Sequence, residues 1–396
     1  MSVKIFHQVG HIEKWNIDAL TNDNAGDGLI LSPVHQSKAV IEKMDSSLKQ
    51  RAFFDPQFYL PSSQKKKLQQ YNFFPDVIAS GFSTVDFSSR TAECAKMCID
   101  FQIENDFDRI IIPARYFDQM DPQYTQKQES FSYIPFLQDL TKRNQQVKPI
   151  FATLPLTSHM VSNEIYRTNI LNWITQHPEI SGCYLIVDHQ RKKKQVDDDS
   201  FLKNYLSFCK ELLEAELELV IGYQNTESLL FTLLGDITLT MGSFENTRMF
   251  SLDKFVESDE DRRGPRARIY LPGLMNWIQI RQAKDIRENY PDIWEKIYYP
   301  TSYGDAALNN PKEPTFNQPD LYRHYFVAFS SQVKELANCT IEDRYKELRS
   351  RIKIAMEIYN ELEEDFFDFE IHGNSEHLQP WLDAIGGFYR SHIKNG

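Results

Sequence analysis

The sequence predicts an α/β fold of the TIM-barrel type, (β/α)8, with an insertion after the second strand and a helical extension at the C-terminus. Eight short apolar runs alternate with helix-length segments over roughly 245 of the 396 residues, which is the repeat of such a barrel. Most of these runs end on polar residues, as barrel strands do where they carry an active site. A chain of this length suits one barrel with additions.

Each predicted strand is a mostly apolar run that is too short for an independent helix and suits a strand buried on both faces. In chain order the strands are 28–32, 51–55, 109–113, 148–154, 182–190, 218–222, 236–241 and 267–271. Pro33 and Pro56 stop the first two strands. The fifth shows the pattern most clearly, because Gly-Cys-Tyr-Leu-Ile-Val is followed directly by Asp188 and His189.

Helix-length segments separate the strands. They are predicted over 38–50, 131–144, 163–177, 200–215 and 226–234. The roughly fifty residues after the second strand are too many for a simple connection, so they predict an insertion, with a helix over 89–105. A doubly wound open sheet is the competing architecture. No Gly-x-Gly-x-x-Gly follows the first strand and no Walker pattern occurs, so neither a nicotinamide site nor a P-loop nucleotide site is predicted.

The barrel is predicted over 27–285, after a lead-in over 1–26 and before a C-terminal extension over 286–396. The extension should contain helices over 320–338 and 341–365. The second helix carries one apolar stripe, made of Tyr345, Leu348, Ile352, Ala355, Tyr359 and Leu362. We expect the first helix to cover this stripe through Tyr325, Phe329, Val333 and Leu336. The alternative is a docking or self-association surface formed by the stripe with Phe366, Phe367 and Phe369.

Composition and charge narrow the classes of function. The net charge of −12 argues against extensive nucleic-acid binding, which needs a basic surface. No apolar run reaches the 18 or so residues of a membrane span, and the N-terminus lacks the apolar core of a secretory signal. The five cysteines are odd in number and scattered, as expected for buried thiols in a reducing compartment. These observations predict a cytoplasmic protein.

Four side chains at the predicted strand ends are the candidate catalytic residues: Asp188, Asp55, Glu245 and His189. Asp188 leads, because it follows a buried strand directly and its carboxylate could act as a nucleophile, a base or a metal ligand. A structural cap or an ion pair is the alternative for Asp188. His189 is a weaker candidate, since adjacent strand residues point to opposite faces and an inward Asp188 would turn His189 outward.

The other two acids extend this hypothesis. Asp55 and Asp188 together could bind a divalent cation or divide acid and base roles, although Asp55-Pro56 could also simply open a turn. Glu245 follows the seventh predicted strand, where glycosidase barrels place one of two acids. The fourth strand ends in 152–157 without an acid, which counts against a retaining glycosidase. The sequence defines neither a metal site nor a cofactor.

Five polar side chains at the same ends are the candidate substrate-binding residues: Arg115, Arg248, Asn246, Asn225 and Gln57. Arg248 begins a long loop between the last two predicted strands, a region that binds phosphate in many barrels. The basic run 191–194 after Asp188 could attract the same kind of anion, or it could be a solvated loop balanced by the acids at 197–199. A mixed-charge lid is the alternative for the long loop.

The sequence therefore predicts a cytoplasmic barrel enzyme of hydrolase or transferase type that acts on a polar, phosphate-bearing small molecule, nucleotide or sugar. The alternative is a non-catalytic barrel, kept as a subunit of a larger protein or protein–nucleic-acid assembly and docked through its C-terminal helices. The separations and partners of Asp55, Asp188 and Glu245 distinguish the two.

Overall fold

A computed structural model describes residues 2–143, 148–189, 193–257, 264–312 and 314–394. Eight parallel strands form a nearly closed barrel in the order β3-β2-β1-β8-β7-β6-β5-β4. The strands are β1 (Val3–Gln8), β2 (Gly28–Leu31), β3 (Ala52–Phe54), β4 (Ile110–Ile112), β5 (Ile150–Thr157), β6 (Gly182–Asp188), β7 (Glu218–Ile221) and β8 (Ile237–Gly242). The described residues show no hydrogen-bonded ladder between β3 and β4, so the barrel stays open along that seam. The predicted fold class is confirmed.

Helices flank the barrel and build the C-terminal extension. The helices are α1 (Glu13–Thr21), α2 (Lys38–Glu42), α3 (Ser46–Lys49), α4 (Pro75–Ile78), α5 (Thr84–Glu104), α6 (Tyr124–Gln128), α7 (Ile134–Lys142), α8 (Ser158–Ser162), α9 (Glu164–Ile174), α10 (Asp199–Glu214), α11 (Ser228–Phe231), α12 (Glu245–Arg248), α13 (Ile280–Asn289), α14 (Pro291–Ile297), α15 (Ser302–Asn309), α16 (Pro319–Ala337), α17 (Ile341–Glu364) and α18 (Leu378–His392). The predicted insertion after β3 contains α4 and α5. The predicted helix 38–50 is broken into α2 and α3, and the end of the predicted helix 131–144 lies outside the described residues.

Two strand assignments made from the sequence are wrong. The segment expected as a lead-in contains β1, which pairs with β2 on one side and β8 on the other. The predicted eighth strand is instead β9 (Arg268–Leu271), which pairs antiparallel with β10 (Asn276–Gln279) in a separate two-stranded sheet. The barrel therefore closes through β1 and β8, and the strand at 28–31 does not neighbour 268–271.

The composition of β1 explains why it was missed. Its sequence Val-Lys-Ile-Phe-His-Gln has no continuous apolar run, yet His7 and Gln8 are both buried. The His7 ring is accommodated because Nε2 contacts the carbonyl of Ala25 at 2.7 Å and Nδ1 contacts Asn16 Nδ2 at 3.2 Å. Polar strand residues can be buried when they find such partners, and the sequence does not show those partners.

The strand register determines which side chains face the inside of the barrel. The hydroxyl of Tyr184 on β6 donates to Oε1 of Gln8 on β1 at 3.0 Å, and its ring meets Phe53 of β3 at 5.3 Å between centroids. These three side chains from separate parts of the sheet can only meet in the interior. Thr153 pairs with Tyr184 in the β5–β6 ladder and shares that face.

An arginine closes the end of the barrel where the strands begin. Arg109, just before β4, is buried, and its guanidinium lies 4.3 Å from the ring centre of Phe151 and 5.6 Å from that of Phe53. Its Nε and Nη2 donate to Asp108 at 2.8 and 2.6 Å. This end is filled by packed rings and a paired charge, so access to the interior must come from the opposite end.

The apolar stripe of the C-terminal extension is buried within the chain, but by a different element from the one expected. Leu348, Ile352 and Tyr359 on α17 are fully buried. The helix packs mainly on α18, where Tyr345 and Tyr389 stack with centroids 3.9 Å apart. Helix α16 packs instead on β9, α15 and α1. In the part of the chain that the structure describes, no helix is long and apolar enough to cross a membrane.

Candidate functional site

A buried carboxyl group marks the end of the barrel where the strands finish. Asp55 directly follows β3 and is fully buried. The Tyr59 hydroxyl donates to its carboxyl oxygens at 2.9 Å, and the backbone N–H of Gln57 donates to Oδ1 at 3.0 Å. No lysine or arginine among the described residues forms an ion pair with it. Burial raises the pKa of Asp55 to about 7, against the lowering effect of these hydrogen bonds.

Two residues in left-handed backbone conformations frame Asp55. Gln57 has a φ of 57° and Tyr223, which follows β7, has a φ of 54°. The Gln57 side chain donates to the Tyr223 hydroxyl at 3.0 Å and accepts from the N–H of Val34 at 3.1 Å. Non-glycine residues adopt this conformation at a cost, and such positions cluster at functional sites. The sequence-predicted Gln57 is thus part of the frame around the carboxyl group.

A lysine that the sequence reasoning missed lies beside this frame. Lys254 is half-buried in a short 3-10 helix (Leu252–Phe255) of the connection after β8. Its Nζ lies 3.5 Å from the ring centre of Tyr223. Burial lowers the pKa of Lys254 to about 7, and the charges of Asp55 and Asp188 partly oppose that effect. An acid and a base that both titrate near neutrality therefore face the same interior.

Two phenylalanines cover this polar centre. Phe250 and Phe255 are buried, and both pack on the ring of Tyr59, at 5.1 and 5.6 Å between centroids. The Ser63 hydroxyl donates to the carbonyl of Phe255 and ties this cover to the insertion after β3. This aromatic cover contributes to the burial of Asp55, whereas Lys254 stays half-buried.

Several polar atoms around the centre have no hydrogen-bond partner among the described residues. They are Gln8 Nε2, Ser32 Oγ, His35 Nε2 and Thr153 Oγ1, and each belongs to a buried residue. Burial lowers the pKa of His35 to about 3, with Lys254 adding to the effect, so its ring is neutral. Buried polar groups are rarely left unsatisfied. Atoms from the ends of β1 and β2 and from the middle of β5 thus surround the centre with unused donors and acceptors.

Asp188 faces the barrel mouth, and His189 does not. The Tyr116 hydroxyl donates to Asp188 Oδ2 at 2.8 Å, and Asp188 acts electrostatically on Lys254. The ring of His189 packs outward against Phe201 of α10, 4.8 Å away between centroids. The opposite directions of these adjacent residues agree with strand alternation. His189 therefore does not belong to the polar centre.

A separate cationic cleft contains the third predicted acid. The cleft has a volume of about 160 Å³ and is lined by Lys193, Lys194, Asn225, Glu245, Arg248, Met249, Arg268, Trp277 and His372. Glu245 accepts a hydrogen bond from Lys194 there, so it does not join Asp55 and Asp188. The chain connects the two sites, since Met249 lines the cleft and the next residue, Phe250, covers the polar centre.

Of the five predicted substrate-binding residues, Arg248 and Asn225 line the cleft and Gln57 lies in the polar centre. Asn246 is exposed, and its carbonyl accepts from Lys254 at 3.3 Å. Arg115 is placed elsewhere: its backbone bonds the side chain of Gln128, and its guanidinium lies over Phe117. Part of the basic run, at 191–192, and part of the long loop, at 258–263, fall outside the described residues.

Lys254, Tyr59, Trp277 and His372 were not predicted as site residues. The position of Lys254 between Phe250 and Phe255 is the one sequence signal that could have identified it. Over the described residues, no three His, Cys, Asp or Glu side chains come together in a way that could hold a metal ion. None of the protein families, curated proteins or solved structures with which the chain was compared matches it.

Proposed function

We propose that the protein is a barrel enzyme of hydrolase or transferase type that acts on a small phosphate-bearing molecule. In this proposal Asp55 and Lys254 exchange protons with the substrate, and the cationic cleft holds the substrate's anionic group. The observation that carries the proposal is a fully buried carboxyl group without an ion pair among the described residues, placed at a strand end near the half-buried Lys254.

The chemistry of the pair supports acid–base catalysis. General acids and bases work best when their pKa values lie near the working pH. Both Asp55 and Lys254 have a pKa of about 7, so the proton can reside on either group near neutrality. Asp188, fixed by Tyr116, would stabilise positive charge on Lys254 or accept a hydrogen bond from a hydroxyl group of the substrate. The cover formed by Phe250 and Phe255 must move for a substrate to reach the pair.

A panel of phosphate esters tests the proposal, with ester conversion followed by phosphorus NMR. The substitution Asp55→Asn keeps the shape and acceptor oxygen of the side chain but removes the titrating group. It should reduce conversion at least roughly a hundredfold, the scale of one general acid–base group. Asp383→Asn on α18 makes the same change at an exposed position and should leave the rate unchanged. Conversion that survives Asp55→Asn would rule out the assigned role.

The non-catalytic barrel remains a second candidate, because of the aromatic cover. Phe250 and Phe255 are completely buried between the mouth and the solvent, as in a barrel whose interior is only a core. The burial of the α17 stripe leaves Phe366, at 95% exposure, as the exposed member of the aromatic run proposed for docking. A folded protein that converts no ester of the panel, with or without the Asp55 substitution, would favour this candidate.

A further inference from the structure

The cleft beside the polar centre is unusually rich in positive charge for an acidic protein. Its lining includes four basic side chains, Lys193, Lys194, Arg248 and Arg268, against the single carboxylate of Glu245. The whole chain carries a net charge of −12, so this concentration is local. Lys193 is also paired with Asp197 and Glu376, so the cations most relevant to a ligand are Lys194, Arg248 and Arg268. Cations concentrated in one cleft raise the local concentration of oppositely charged ligands.

The two arginines are held in place before any ligand arrives. The guanidinium of Arg248 lies 4.1 Å from the ring centre of Trp277, and its Nη1 donates to the carbonyls of Gly242 and Ser243 at 3.2 and 2.8 Å. Arg268 donates to the carbonyl of Trp277 at 3.1 Å and pairs with Glu370. Fixed guanidinium groups lose little freedom when they bind an oxyanion.

Three residues that line the cleft also carry buried polar atoms without a hydrogen-bond partner in the described part of the chain. They are Trp277 Nε1, His372 Nδ1 and Asn225 Oδ1. The indole nitrogen can only donate, and His372 Nδ1 can donate in one neutral tautomer. Asn225 Oδ1 can only accept, and its orientation is set because Nδ2 donates to the carbonyl of Lys194 at 3.0 Å. The residues that line the cleft thus include two unused donors, which suit an anion, and one unused acceptor, which suits a hydroxyl group.

We infer that this cleft binds the phosphate group of a hydroxylated phosphate monoester, and that the ligand displaces Glu245 from Lys194. The site rests on the proposed function in one respect: the bound phosphate would belong to the enzyme's substrate. Phosphate oxygens accept from Lys194, Arg248, Arg268 and Trp277, and a neighbouring hydroxyl group donates to Asn225.

Glu245 is suited to the role of an exchangeable partner. Its side chain is 43% exposed, whereas that of Lys194 is 19% exposed. A released Glu245 carboxylate can therefore be solvated at small cost, while the lysine stays in the cleft. The volume of about 160 Å³ is below the roughly 300–1,000 Å³ of pockets for drug-sized ligands, so it suits a phosphate head group rather than a whole nucleotide.

Titration calorimetry with inorganic phosphate and with glycerol 3-phosphate tests this site in the full-length protein. Lys194→Gln should weaken binding of both ligands at least roughly tenfold, the factor expected for one charge-assisted hydrogen bond. Glu245→Gln should strengthen binding of both, since it removes the competing carboxylate. Because Glu245 is partly exposed, this gain can be measured without loss of folding.

Matched controls separate local contacts from the general effect of charge. Lys346→Gln and Glu342→Gln make the same charge changes on the exposed side of α17 and should leave both affinities unchanged. Asn225→Ala should reduce the preference for glycerol 3-phosphate over ethyl phosphate, which lacks the free hydroxyl groups. If neither the wild type nor Glu245→Gln binds phosphate, or if Lys194→Gln binds it as well as the wild type, the assignment is wrong.

The experiment also distinguishes this inference from the proposed function. If phosphate binds as described but no ester is converted, the cleft assignment stands and the proposed enzyme does not. If esters are converted at rates insensitive to Lys194→Gln and Glu245→Gln, the acid–base chemistry proposed for Asp55 and Lys254 stands, and the binding role given to the cleft is overturned.

Discussion

Replacing Asp55 by asparagine should stabilise the protein, and the gain should depend on pH. Asparagine retains an oxygen that can accept the Tyr59 and Gln57 hydrogen bonds, so the packing of the centre is preserved. What disappears is the need to ionise a carboxyl group in a place without water. The substitution therefore isolates the cost of that charge.

The size of the effect follows from the pKa of the folded protein. Burial raises the pKa of Asp55 from 3.8 to about 7. Between pH 4 and pH 7 the folded protein holds a proton that the unfolded chain has lost, so wild-type stability falls as the pH rises across this window. At about 1.4 kcal/mol per pH unit, the loss reaches on the order of 4 kcal/mol above pH 7. Below pH 4 the two proteins should be equally stable.

Urea unfolding of the wild type and Asp55→Asn, followed by fluorescence at several pH values between 4 and 8, measures this difference. The difference in unfolding free energy between the two proteins should increase from pH 4 to pH 7 and stay constant above pH 7. Asp383→Asn provides the control for an exposed acid. Parallel curves for the wild type and Asp55→Asn, or a variant less stable at pH 8, would refute the reasoning about the buried carboxyl group.

Three further substitutions test other parts of the structure. Lys254→Met should raise the unfolding free energy most, relative to the wild type, below pH 7. This advantage should disappear as the pH rises from about 7 towards 10.5, because in that range the folded wild type has lost a proton that the unfolded lysine still holds; urea unfolding measures the difference. Arg109→Met should lower the unfolding free energy by about 1–3 kcal/mol without changing ester conversion, because it lies at the opposite end of the barrel. Ile352→Asp should lower the melting temperature, at a cost of about 3–5 kcal/mol, with an unchanged elution volume in size-exclusion chromatography, because the stripe is buried within the chain.

The sequence predicted the barrel because most of its strands are continuous apolar runs. The strand prediction was wrong in two places: one barrel strand lacks such a run, and one such run lies outside the barrel. β1 has no apolar run longer than Ile5-Phe6, and its buried His7 depends on Asn16 and Ala25, which only the folded chain brings near. The run Arg268–Leu271 looks like a barrel strand, but it pairs antiparallel with β10. A short apolar run such as Ile-Tyr-Leu indicates a strand without specifying its sheet.

The candidate site was predictable to the extent that it depends on position at a strand end. That rule selects Asp55, Asp188 and Gln57, which lie at the mouth, and Arg248 and Asn225, which line the separate cleft. It does not identify Lys254, which reaches the centre from a loop, or Trp277 and His372, which come from outside the barrel strands. It also groups Glu245 with the other acids, although Lys194 holds it in the cleft.

The sign of the Asp55 effect bears on function as well as on stability. The donors around Asp55 need only an acceptor, and an asparagine oxygen supplies one, so a purely structural role does not require an ionisable group. A carboxyl group at this position is costly near neutral pH, yet the proposed acid–base chemistry requires it. Active sites commonly hold such destabilising groups, and removing them gains stability at the expense of activity. A more stable Asp55→Asn protein that no longer converts phosphate esters would therefore favour the catalytic barrel, because a simple core would gain stability with no activity to lose.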